Sequence, residues 1–272
     1  MATRTILLDI GGTYIKCGDG RQIPAMSDGN RAEISMAIRK AIGPISRPAC
    51  IGIAIPGPFD YRNGLFLMKH KFASVYGESF RALARIPSYV EVKFLHDVIA
   101  VLAGAIHTLH LEDENTALVT LGTGLGFSHA IKGKVQCNES GSPSRDLWNM
   151  PAEGGGILED ELSARGISAE WERRTGESGR TCYAIARMAY AGDEIAREVF
   201  AHVGARLGEV LRNVLEELQS GILLLGGQIS KSLSLMIGPM QEALPGVRIH
   251  PVPDDSVFVG LSRLFESNTD NQ

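Results

Sequence analysis

The chain has 272 residues, 44% of them hydrophobic and 21% charged, the balance of a folded protein with one large domain or two lobes. Its net charge of −4 gives no global reason to expect nucleic acid or an anionic membrane as partner, and KHK at 69–71 is too short to argue a basic patch. No run of about 18 apolar residues occurs, so no membrane span is expected.

Cys17, Cys50, Cys137 and Cys182 are far apart and none belongs to a CxxC pair, so zinc cysteines are not expected. The apolar run in MATRTILLDIGG is too short for a signal peptide. Scattered thiols without an export signal favour the cytoplasm.

TILLDI (5–10) reads as a buried strand stopped by Gly11-Gly12. Asn30 to Ile42 is helical: Ile34, Ala37, Ile38, Ala41 and Ile42 share a face, and Asn30 with Glu33 forms a capping box. ACIGIAIPGP (49–58) is a strand ended by Pro56-Gly57-Pro58; VEVKFL (90–95) is another, leading into a helix from Val98 to Leu109. Residues 116–135 read as strand, glycine turn and second strand, closed at Lys132-Gly133, and 136–153 as a long surface loop. Ile195, Val199, Val203, Leu207, Leu211 and Leu215 recur every four residues along a long helix ending near Gly221. GILLLGG (221–227) is a buried strand, followed by a helix from about Ser230, a last helix over 256–265 and a frayed SNTDNQ tail.

The pattern predicts an α/β protein of two lobes, each a sheet with helices on it. The break is placed in the charged run Glu112-Asp113-Glu114-Asn115. That gives an N-terminal lobe over 1–112, completed by the C-terminal helix at 256–267, and a C-terminal lobe over 113–255.

LLDIGGTYIK sets an acid at a strand end before two glycines and a threonine. Glycines allow a turn tight enough for backbone N–H groups to face a phosphate. An acid beside phosphates is repulsive without a cation between them, so Asp9 implies Mg²⁺, held through water; the plain alternative is a β-turn with a surface Asp. TLGTGLG is a second such turn, neither a Walker loop nor a Rossmann fingerprint, and a glycine-rich hairpin explains it equally simply. Gly226-Gly227 would let a flat ligand approach the backbone, although strand-to-helix turns use glycine for geometry alone. For Asp97 in FLHDVIAV the plain reading is N-cap of the next helix, with His96 a satisfied, partly buried histidine. No GxSxG elbow supplies a nucleophile to pair with them.

Taken in order, LDIGGTYIK, GIAIPGP, HDVIAVLAG, LVTLGTGLG and ILLLGGQIS resemble the ROK family of sugar kinases and repressors, within the actin, sugar kinase and Hsp70 superfamily. The resemblance spans residue 5 to about residue 230. It implies two RNase-H-like (actin-like ATPase) lobes with an interlobe cleft holding nucleotide and sugar. It assigns Gly11, Gly12, Thr13 and Lys16 to the phosphates and Mg²⁺, Gly122, Thr123 and Gly124 to the β- and γ-phosphates, and Gly226 and Gly227 to the adenosine. Asp97 becomes the general base that takes the proton from the attacking sugar hydroxyl, and Gly57 and His96 become sugar-side residues. The family's Asn is His96 here, and its Gly-Glu-x-Gly-His element and cysteine-rich zinc motif are missing from 136–153, so no structural zinc is expected. LWNMPAEGGGILEDELSARGI stands in their place, and its Glu159 best matches the motif's final, sugar-contacting Glu.

The resemblance thus implies a glucokinase-like kinase that uses ATP and Mg²⁺ on a hexose-like sugar. Relatives are often dimers, so a homodimer is compatible. A non-catalytic sugar-sensing regulator is the second reading; such repressors carry a helix-turn-helix before the first turn, and the strand at residue 5 leaves no room for one. A third keeps the enzyme but takes polyphosphate as donor. The sugar stays open, because the altered segment is the one that reads it.

Overall fold

A computed structural model describes residues 4–45 and 49–266. The chain forms two compact units: the first holds residues up to His110, Cys137–Ser144 and the chain from Pro253 onward, and the second Leu111–Gln136 and Arg145–Val252.

In the first unit β1 (Arg4–Ile10), β2 (Tyr14–Cys17) and β3 (Gln22–Pro24) form an antiparallel meander, and β4 (Ala49–Ile55) and β7 (Glu91–His96) extend it in parallel, in the order β3-β2-β1-β4-β7. Between β4 and β7 lie a small hairpin, β5 (Phe59–Asp60) with β6 (Leu65–Phe66), and the short helix α2 (Phe80–Ala84). Strand side chains alternate between faces, and this sheet is covered on both. Ile6, Leu8, Ile10, Ile51, Ile53 and Ile55 join a core with Ile34, Ala37, Ile38, Ala41 and Ile42 of α1 (Arg31–Ile42). Leu7 and Ala54 point the other way, to Ala100 of α3 (Asp97–Leu109) and Leu261 of α9 (Ser256–Glu266). Burial on both faces is why β4 reads as an uninterrupted apolar run.

The helix α1 starts as its sequence requires. The Asn30 side chain accepts from the Ala32 and Glu33 amides, and the Asn30 amide donates to Glu33 Oε2 at 2.8 Å. Between α3 and α9 the contact is closer than side chains allow. A Cβ on Gly104 would overlap the Ser256 carbonyl oxygen, and one on Gly260 the Ala100 carbonyl oxygen.

The second unit repeats the same strand plan: β8 (Thr116–Leu121), β9 (Leu125–Ile131) and β10 (Lys134–Val135) meander, and β11 (Ile222–Gly226) and β12 (Arg248–Pro251) follow in parallel, in the order β10-β9-β8-β11-β12. Three antiparallel strands continued by two parallel ones make each sheet RNase-H-like. The helices here are α4 (Leu158–Leu162), α5 (Ala164–Thr175), α6 (Cys182–Tyr190), α7 (Glu194–Glu217) and α8 (Ile237–Ala243).

The structure departs from the sequence reading in local detail. Ile195 is exposed, because a row taken every four residues drifts about 40° per step around a helix of 3.6 residues per turn. The buried stripe runs instead through Ala196, Val199, Phe200, Val203, Leu207 and Leu211. The helix expected from Ser230 is a 3₁₀ stretch, Ile229–Leu235, followed by α8. The SNTDNQ tail lies outside the described residues. Among those described, no helix is long and apolar enough to cross a membrane.

Candidate active site

In the first unit, β1 delivers Asp9 to the turn at Gly11-Gly12, which closes with the Gly11 amide donating to Tyr14 O at 2.9 Å. Thr13 sits exposed at its tip. Lys16 returns on β2, and its Nζ lies 3.4 Å from Asp9 Oδ2. Burial pushes the Asp9 carboxyl above its ordinary range; Lys16 opposes this and the charge of Asp97 adds to it. Two carboxylates from separate strand ends therefore share one electrostatic neighbourhood.

Asp97 is the first residue of α3. His96 holds the N-cap position but offers no side-chain cap, which corrects the expectation that Asp97 is the cap. The Asp97 Oδ1 accepts from the Val98 amide at 2.8 Å. His96 Nδ1 stands 2.7 Å from the same oxygen, a close contact outside hydrogen-bond alignment. Burial alone would raise the Asp97 carboxyl. The His96 ring, the Val98 amide and the charge of Lys71 outweigh it and hold the group below its ordinary range. The side chain keeps 37% of its surface open, so an ionised carboxylate faces outward from the helix start.

Around His96 the first unit gathers Gly57, whose peptide bond to Pro58 is cis, and Tyr61. A Cβ on Gly57 would sit 3.5 Å from both His96 Nε2 and Tyr61 Oη. The Tyr61 ring is 5.7 Å from that of His96, and its hydroxyl donates to Ile55 O at 3.0 Å. Burial, then the charge of Asp97, pushes the phenol far above its ordinary range, so Tyr61 stays neutral. The segment Cys137–Ser144 packs here too: Gly141 lies against the Tyr61 ring, and Asn138 Oδ1 accepts from the Ser140 and Ser142 amides.

In the second unit, Gly122, Thr123 and Gly124 form the tip of the β8–β9 hairpin, with the Gly122 amide donating to Gly124 O at 3.0 Å. Thr123 is exposed. Glu159, on α4, braces this tip: Oε2 accepts from the Leu125 amide at 3.1 Å, and Oε1 from Arg165 Nη2 at 2.9 Å. Gly227, with φ +84, lies against the Leu121 backbone where a Cβ would overlap, so the glycine pair after β11 has a packing reason of its own.

No family model and no curated protein sequence matches the chain. Solved structures do. A ROK family glucokinase from Streptomyces griseus in complex with glucose and AMPPNP superposes with a TM-score of 0.79 over 97% of this chain and 99% of that one, at 18% identity. A ROK family protein from Streptococcus pneumoniae TIGR4 in complex with sucrose gives 0.78 over 97% and 98%, at 21% identity. The chain has the fold of the ROK sugar kinases. A ROK family transcriptional regulator, a homologue of the E. coli MLC protein, also shares it, at a TM-score of 0.73 and 17% identity over 96% of this chain and 77% of that one.

On this ROK fold the expected residues separate by unit. Asp9, Gly11, Gly12, Thr13, Lys16, Gly57, His96 and Asp97 belong to the first, and Gly122, Thr123, Gly124, Glu159, Gly226 and Gly227 to the second. Sequence reasoning missed Tyr61, Gly141 and Lys71. Tyr61 and Gly141 carry no motif and meet only through the tertiary path. Lys71 was visible as part of KHK, but nothing local separates it from its exposed neighbours Lys69 and His70. Among the described residues no three His, Cys, Asp or Glu side chains gather as a metal-binding group, and the four cysteines are free.

Proposed function

We propose that the chain is a ROK family sugar kinase that moves the γ-phosphate of ATP to a hydroxyl of a hexose-like sugar, with Asp97 as general base. The observation that carries this reading is the Asp97 carboxylate: ionised, partly open, at the start of a helix and in the electrostatic field of Asp9 at the first glycine turn. The likeness to a glucokinase in complex with glucose and AMPPNP supports it. In the step, the sugar oxygen bonds to the γ-phosphorus while the bond from phosphorus to the bridging oxygen breaks. That electron pair leaves with ADP, and the hydroxyl proton passes to Asp97.

The donors fit Mg²⁺. Asp97 raises the cost of charge on Asp9, and such an ion is held by one or two carboxylates together with substrate phosphates. Asp9 would hold it, through water, and it would supply neutralisation of phosphate charge. The backbone amides of Gly12 and Thr13, and of Thr123 and Gly124, would receive phosphate oxygens, and Gly226-Gly227 the adenosine. Gly57, His96 and Tyr61 would shape the sugar side. Glu159 would be the sugar-contacting acid of this scheme, and its ion pair with Arg165, whose side chain is 54% exposed, is cheap to break.

The test is Asp97→Asn, assayed for ADP release over a sugar panel with Mg²⁺ and either ATP or polyphosphate as donor. A positioned general base contributes about 10²–10⁴-fold, so turnover should fall by that factor while circular dichroism shows the variant still folded. Full turnover in the variant would remove Asp97 as base. The regulator sharing the fold keeps a second reading in view: specific operator binding by the purified protein, with no turnover on any sugar, would favour it.

A further inference from the structure

The first glycine turn is not open on all sides. The Lys71 side chain runs across it, so that a Cβ on Gly12 would lie 3.1 Å from Lys71 Cδ, Cε and Nζ alike. The same ammonium is near enough to Asp97 to act on its carboxyl. Of the three residues in KHK, Lys69 and His70 are exposed, Lys69 lying over the Tyr76 ring, while Lys71 is half-buried.

The next residue anchors it. Phe72 is fully buried against Phe66, at 5.6 Å between ring centres, and its amide donates to Ser27 O at 2.7 Å. Its φ of +52 is a left-handed conformation that a bulky side chain adopts only where its surroundings enforce it. Lys71 is therefore delivered to the turn by a fixed backbone.

Of the two lysines at this turn, Lys16 is already paired with Asp9. Lys71 closes no ion pair among the described residues. We propose that Lys71, rather than Lys16, is the side-chain cation that contacts the γ-phosphate at the Gly11-Gly12 turn. This inference rests on the phosphotransfer reading above. As the sugar oxygen bonds to phosphorus and the bond to ADP breaks, charge spreads over the three equatorial oxygens. The Lys71 ammonium offsets it from a preset position and gives up no proton.

AMPPNP and ADP affinities are measured by calorimetry on the full chain and its Lys71→Gln and Lys71→Arg variants, with steady-state kinetics on whichever sugar the wild type phosphorylates. Lys71→Gln should bind AMPPNP about tenfold more weakly and ADP nearly as before, and lose about 10²-fold in kcat, the scale of one missing charge-stabilising donor. Lys71→Arg, which keeps the charge, should recover part of both. Equal AMPPNP affinity in wild type and Lys71→Gln overturns the inference, as does a variant whose only change is a raised KM for the sugar, which would put Lys71 on the acceptor instead. A wild type that binds AMPPNP but phosphorylates no sugar refutes the kinase reading separately, and the AMPPNP-to-ADP comparison still decides the role of Lys71.

Discussion

Asp97 and Glu170 are both carboxylates held below their ordinary range, and the causes separate function from architecture. Glu170 is drawn down to about 2 by hydrogen bonds from Arg173, opposed by burial and reinforced by Arg174 and the charge of His202. Its side chain is 11% exposed, and its oxygens are taken by the two arginines at 2.6–2.7 Å. Asp97 instead has a ring beside it out of hydrogen-bond alignment and one open side. A lowered carboxyl stabilises the fold above its unfolded pKa, and that contribution is lost as pH falls through the folded value. Glu170→Gln should therefore be less stable than wild type at neutral pH. In urea unfolding the gap should close between the ordinary 4.5 and about 2; a gap unchanged with pH would deny the ion pairs that role. At this scale Asp97 stood out in sequence as an acid at a strand-to-helix junction, which by itself reads as a helix cap; its candidacy as base came only from the resemblance. Lys71 was not, because its distinction is a backbone path: the left-handed Phe72 turns it inward, and no residue type announces that.

At the scale of elements, legibility followed burial pattern. The helix α1 could be drawn to the residue from its Asn30–Glu33 box and its apolar face, and β1, β4, β8 and β11 from apolar runs ended by Gly or Pro. The short strands β5, β6 and β10, of two residues each, pair with strands close by in the chain and are too brief to show a pattern of their own. The α3–α9 crossing was equally hidden, since Gly104 and Gly260 look like weak points within helices until their partners are known. That crossing bears on the site, because α3 begins at Asp97. Gly104→Ala should force the two helices apart and destabilise the protein by about 1–3 kcal/mol or more, as overpacking does. It should also lower kcat without touching any site residue. Wild-type stability in denaturant titration would show that the helices can separate at little cost.

For the whole molecule, the division into two sheets was legible because glycine-terminated strands recur in both halves. The matching strand order was not, because the short β3, β10 and β12 carry too few apolar residues to read as partners. The reading gave the C-terminal helix to the first lobe, but nothing in sequence marked Cys137–Ser144 as belonging to that unit too. The chain crosses to the second unit after His110 and returns at Pro253, and α9 then covers Leu7, Ala54 and Ala100. Removing residues 253–272 should expose that face. Hydrogen exchange should then quicken along α3 and β4 while β8 and β11 stay protected; equal protection in all four would mean that α9 merely rests on the sheet.

The return of α9 also sets an order in time. A ribosome releases the N-terminal residues first, and domains generally fold as they emerge. Here the strand and helix that present Asp97 are made early, but the helix that packs against them follows the second unit in the chain. The nascent first unit must wait, its Gly104 face bare, through synthesis of the entire second unit. The base-bearing helix thus finds its final packing only once the second unit has been translated in full.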